Sequence, residues 1–172
     1  YRQGLEISRK ALGHAHPECA IALSNLAELY KSMGEYAQAE PLARQALETM
    51  KKAVGEGHPD YATSLGGLAT LRKLMGDYTQ AEPLLEQAME IRKRALGEAH
   101  PDYAASLLSL AELHQFMGDY SRAELLCQQA MEIKKKALGE THPEYATSLS
   151  SRARLFELMG DYANAEPLFR QA

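Results

Sequence analysis

At 172 residues, with 45% hydrophobic and 24% charged side chains and no tryptophan, the chain has the composition of an ordinary globular protein rather than a disordered or fibrous one. A net charge of -4 supplies no basic stripe for a phosphate backbone, so neither nucleic acid nor an anionic membrane is an expected partner; no apolar run approaches the roughly 18 to 20 residues that cross a bilayer. The two cysteines, Cys19 and Cys127, lie far apart in sequence, which argues against a disulfide scaffold and for a reducing, cytoplasmic compartment.

In chain order, residues 1–12 match the back half of a helix that recurs later, with Leu5 in the place of Met89. His-Pro then occurs at His16-Pro17, His58-Pro59, His100-Pro101 and His142-Pro143, each 42 residues after the last. Residues 55–96 and 97–138 are identical at 27 of 42 positions. This period divides the chain into a half helix (1–12), repeats 13–54, 55–96 and 97–138, and a partial repeat 139–172. Self-similarity of this kind marks a solenoid, whose units stack because none buries its apolar face alone. The chain is expected to be one array, cut from a longer one.

Each unit predicts two helices. From Pro59 to Met75, Leu65, Leu68, Ala69, Leu71 and Met75 follow the three-and-four spacing of an amphipathic helix, and Gly76 ends it. The second helix follows Asp77, a good N-cap, carries Tyr78, Ala81, Leu84, Leu85, Ala88, Ile91 and Ala95, and stops at Gly97. The short connection leaves room only for an antiparallel hairpin. Pro41, Pro83 and Pro167 fall beyond the first turn of the second helix, where each should remove a backbone hydrogen bond or bend the helix; Leu125 holds that place in the third repeat.

The histidines invite a metal reading, but equivalent residues of neighbouring repeats are separated by whole helices of about 8 to 10 Å spacing, too far to share one ion. The simpler reading makes each His the last non-helical residue, with Pro at the first helical position and Asp or Glu facing the helix dipole. His14 is an extra residue outside the pattern, expected in a surface loop. No nucleophile with a base in reach stands out, and the glycines mark helix ends, not a phosphate loop, so neither an enzyme nor a cofactor is expected. Cys127 replaces Leu85 and Cys19 replaces a tyrosine, both as small core residues.

A hairpin with Leu26-Ala27, Tyr30, Gly34, Tyr36, Ala39 and Ala46 at these spacings resembles a tetratricopeptide repeat. The 42-residue period, with "LGEAHPDYA" before the first helix and "GDYSRAE" before the second, is similar to the long repeats of kinesin light chains and related bacterial proteins. The resemblance covers essentially the whole chain. It implies an all-α, right-handed superhelical solenoid of antiparallel helix hairpins whose first helices line a concave, peptide-binding groove.

Matched phases then assign that groove. Repeat one supplies Ile21, Ser24, Asn25, Glu28, Lys31 and Ser32, and repeat two Thr63, Gly66, Gly67, Thr70, Lys73 and Leu74. Repeat three supplies Ala105, Leu108, Ser109, Glu112, Gln115 and Phe116, and repeat four Thr147, Ser150, Ser151, Arg154, Glu157 and Leu158. All six positions differ between repeats two and three, either because exposed positions drift or because an irregular ligand needs an irregular groove. Gly66 and Gly67 would let another backbone approach, or would serve close packing between helices. Leu74, Phe116 and Leu158, with Leu108 nearby, would form an apolar strip for anchor side chains, or would pack on the next repeat.

The family often holds peptide backbones with paired asparagines, and here only Asn25 remains at such a place, so that mode is not expected. Mixed groove charges give no clamp for a terminal carboxylate. Arg152 occupies the phase of Leu26, Leu68 and Leu110, which suits a loosened or terminal fourth repeat. The first expectation is therefore a non-enzymatic scaffold that binds a peptide segment of a partner protein. The alternatives are a self-assembly module that stacks end to end, because 161–172 and 1–12 are complementary halves of one helix, and the sensor array of a larger signalling protein.

Overall fold

The computed structural model describes Gly13 and residues 16–172; the expected half helix 1–12 and the histidine at 14 lie outside that range. The described residues form eight α-helices and no strand: α1 (Pro17–Ser32), α2 (Tyr36–Val54), α3 (Pro59–Leu74), α4 (Tyr78–Leu96), α5 (Pro101–Met117), α6 (Tyr120–Leu138), α7 (Pro143–Leu158) and α8 (Tyr162–Gln171). These are the consecutive helix pairs that the period predicts. Two compact units result, with the division after Ile91, inside α4.

The helix boundaries have local causes. His58 takes an extended backbone, Pro59 opens α3, and the His58 Nδ1 accepts the N–H of Asp60 at 3.2 Å. His16, His100 and His142 cap α1, α5 and α7 in the same way at 3.1 to 3.2 Å. Histidine Nδ1 stands the same number of bonds from Cβ as an asparagine Oδ1, so it reaches the same orphan donor. Each His thus stands at the helix boundary, as its place before Pro predicts, and its ring is itself the cap. The second helices are capped by Asp77, Asp119 and Asp161, whose Oδ1 atoms accept from Gln80, Arg122 and Asn164 at 3.2 to 3.3 Å. Glu35, one methylene longer, makes no such bond and instead accepts from the Gln38 side chain. Gly118, at φ +80°, ends α5 in the left-handed conformation that other residues adopt only with strain.

Pro41, Pro83 and Pro167 all lie inside continuous helices. Each removes one donor without ending its helix, because tertiary packing outweighs the local loss.

In the first unit the core lies between first and second helices. Ala27, Ala39, Ala43, Leu68 and Leu71 form one cluster, and Ala20, Met50, Tyr61, Ala62, Leu65 and Ala88 form another. Alanines recur because they allow neighbouring helices to approach closely. In the second unit Ala111, Ala123, Cys127 and Leu155 pack together under Tyr120 and Leu126. Within each unit successive first helices also touch, α1 with α3 and α5 with α7. That contact makes a groove.

Of the two expectations for Arg152, a loosened or a terminal repeat, the first is not met. The α7 helix is intact and packs on both α6 and α8. Arg152 is half-buried, its guanidinium 3.3 Å from Glu124 and 5.2 Å from the Phe156 ring centre. The first unit shows why this works: Glu40 pairs with Arg72 at 2.5 Å, and the equivalent of Arg72 in the fourth repeat is Phe156. The cation has moved one helical turn back, to 152, and still meets the equivalent glutamate.

Candidate binding grooves

The first unit holds a cavity of about 390 Å³ between α1 and α3, lined in part by Ile21, Ser24, Asn25, Glu28, Lys31, Thr63 and Gly67. The second unit holds an open groove of about 770 Å³ between α5 and α7, lined by Leu108, Ser109, Glu112, Gln115, Phe116, Thr147, Ser150, Ser151, Arg154 and Leu158. Of the twelve groove positions expected in repeats three and four, only Ala105 and Glu157 are missing from that lining. In the second unit ten of the expected positions thus share one surface; in the first, seven do.

Repeat two contributes less than expected. Gly66, Thr70, Lys73 and Leu74 do not line the first unit's cavity. Lys73 is buried, contrary to the expectation of a groove side chain. Repeat phase gives the face of the helix, but packing decides how deeply a residue on that face is covered. Thr70 turns its hydroxyl back to Gly66 O at 2.9 Å. Gly66 and Gly67 are not packing glycines: a methyl group at either would meet no neighbouring atom within 4 Å. The close-packing explanation therefore fails.

Leu74, Phe116 and Leu158 are 44, 56 and 55% exposed. Phe116 and Leu158 both line the second groove, whereas Leu74 lies outside the first unit's cavity. Tyr120 and Phe169 extend the apolar lining of the second groove, contributions from second helices that phase matching within first helices did not supply.

The grooves are chemically unlike. In the first, Lys31 pairs with Glu28 at 2.6 Å, and Asn25 is exposed. In the second, Arg154 is exposed and has no ion-pair partner among the described residues. The hydroxyls of Ser109, Thr147 and Ser151 donate to carbonyls one turn back, at 2.9 to 3.1 Å. With those hydrogens engaged, the oxygens can offer a ligand only lone pairs.

Neither cysteine is an activated thiol. Cys127 is fully buried, and burial pushes its thiol up to about 11, away from the reactive thiolate. Cys19 is equally buried, and its thiol donates to Gly13 O at 3.2 Å. Each histidine cap has its Nδ1 engaged. No helix among the described residues is long and apolar enough to cross a membrane.

Comparison with known proteins places these observations among relatives. A sequence family described as tetratricopeptide repeat matches residues 1–52, 23–94, 60–136 and 123–172. The fold is similar to the crystal structure of BtubC (BKLC) from P. vanneervenii, with a TM-score of 0.81 and 24% identity over 99% of this chain and 68% of that one. It is also similar to two structures of nearly identical kinesin light chain TPR-like repeats from Podosopora anserina, one of them a point variant. These have TM-scores of 0.78 and 0.75, each at 29% identity over 99% of this chain, covering 80 and 81% of theirs. A comparison of the sequence with curated proteins yields no match.

Proposed function

Because the chain belongs to the tetratricopeptide repeat family, a fold that generally serves as a protein–protein interaction scaffold, we propose that it is a non-catalytic scaffold whose grooves each receive an extended peptide segment of a partner protein. The observation that carries this reading is the second groove. Ten positions singled out from sequence line one surface there, with Phe116 and Leu158 exposed beside Arg154. Affinity would come from a few anchor side chains on a preorganised surface. Two free, buried thiols fit a reducing, cytoplasmic setting.

The test is selection from a random peptide library, followed by affinity measurements on Phe116→Ser/Leu158→Ser. Both side chains are more than half exposed, so helix content should be unchanged while binding falls at least tenfold. Unchanged affinity for every selected peptide would overturn the groove assignment.

A further inference from the structure

The first unit's cavity is apolar along its floor and rich in acceptors at one end. Met50, Leu68 and Leu71, all buried, supply the floor, and the more exposed Ile21 also lines it. Asp60, Thr63 and Ser64 line it where α3 begins. Ser64 donates its hydroxyl hydrogen to Asp60 O at 3.2 Å, so its oxygen is left with lone pairs.

The Asp60 carboxylate is not neutralised. Its Oδ2 lies 3.5 Å from His58 Nδ1, but that nitrogen accepts the Asp60 backbone N–H at 3.2 Å and therefore carries no proton in the capped state. The nearby Lys51 is engaged by Glu56, and Lys31 by Glu28. The positive end of α3 offsets about half a unit of charge, which still leaves this end of the cavity negative.

We propose that the first unit's cavity accepts a lysine or arginine side chain. Its methylene stem lies along Ile21 and the apolar floor, and its cationic head donates to the Asp60 carboxylate and the Ser64 oxygen. Long basic side chains combine an apolar stem with a charged tip, which matches this floor and rim. The inference rests on the groove reading and adds to it the chemistry that one subsite selects.

The experiment titrates isotopically labelled protein with N-acetyl-lysine methylamide, with N-acetyl-norleucine methylamide as the uncharged match, and follows amide chemical shifts. Saturable shifts at residues 59–67 and 21–25 are expected with the lysine compound. They should be about fivefold weaker with norleucine or in Asp60→Asn, as for one partly exposed charge pair, and should weaken further with salt. Asp60 is exposed and its substitution is isosteric, so the variant should keep its fold, which the remaining amide shifts would verify. Equal shifts with norleucine, an unaltered response in Asp60→Asn, or no response at these residues would overturn the proposal. None of those results touches the peptide test on Phe116 and Leu158, so the two readings fail separately.

Discussion

The glycine pair in α3 makes the sharpest quantitative prediction. Gly66 and Gly67 sit in the middle of a 16-residue helix, at half-buried and exposed positions, and an added methyl group at either would meet no neighbouring atom within 4 Å. Alanine should therefore recover the helix propensity that glycine forgoes, about 0.8 to 1 kcal/mol at each position, without a steric penalty. Neighbouring helix positions point to different sides, so the two gains should nearly add to about 1.5 to 2 kcal/mol. For a chain of this length that corresponds to a rise of roughly 3 to 8 °C in Tm, if the array melts as one transition. Urea unfolding followed by far-UV circular dichroism, on both single variants and the double, measures it directly. A loss of stability in either single variant would mean that something does pack against those glycines, and the account of α3 would be refuted. If a peptide backbone lies over Gly67 in the first groove, Gly67→Ala should also weaken binding while it stabilises the fold. That opposition of signs is not expected of a glycine kept by drift.

Other substitutions test the packing and caps. Lys134 is buried and pairs with Glu144 at 3.3 Å, while Met50 holds the same repeat phase in an apolar cluster. Lys134→Met should thus unfold within about 1 kcal/mol of the parent, and a larger loss would show the ion pair to be essential. Replacing His100 by alanine should cost about 1 kcal/mol in urea unfolding through the lost cap on Asp102 N, and His100→Asn should restore most of it; equal losses would exclude the cap. Cys127 gives a pH test. Its folded thiol is raised to about 11, above its ordinary value, so it stabilises the fold below about pH 9, and that contribution is lost as pH climbs from 9 to 11. The parent should lose up to about 3 kcal/mol more than Cys127→Ala over that window, and parallel pH profiles would refute the assignment.

Much of this architecture was legible because repetition amplifies weak signals. One Gly-Asp-Tyr suggests a turn, whereas the same triplet at Gly76, Gly118 and Gly160 fixes a phase from which the helices can be counted. The second groove was legible for the same reason, since first-helix positions of adjacent repeats face one another wherever the repeats stack. Lys73 was placed in the groove by its repeat phase, and nothing in a repeat phase reports how deeply a side chain is covered. Arg152 stands at a leucine phase, which predicts an apolar neighbour. Its partner, Glu124, is the repeat equivalent of Glu40, which Arg72 meets in the first unit, and Phe156 holds the phase of Arg72.

Helix order, boundaries and family therefore follow from the sequence alone, through periodicity and residues whose backbone preferences are strong and local. The tertiary structure alone decided that Gly66 and Gly67 face open space. It also showed that Asp60 lies unneutralised at the end of an apolar cavity. The physical reason is the range of the forces involved. Propensity and hydrophobic period act within a few turns, but whether a polar group is satisfied depends on atoms brought together from different helices, and only packing sets their distances.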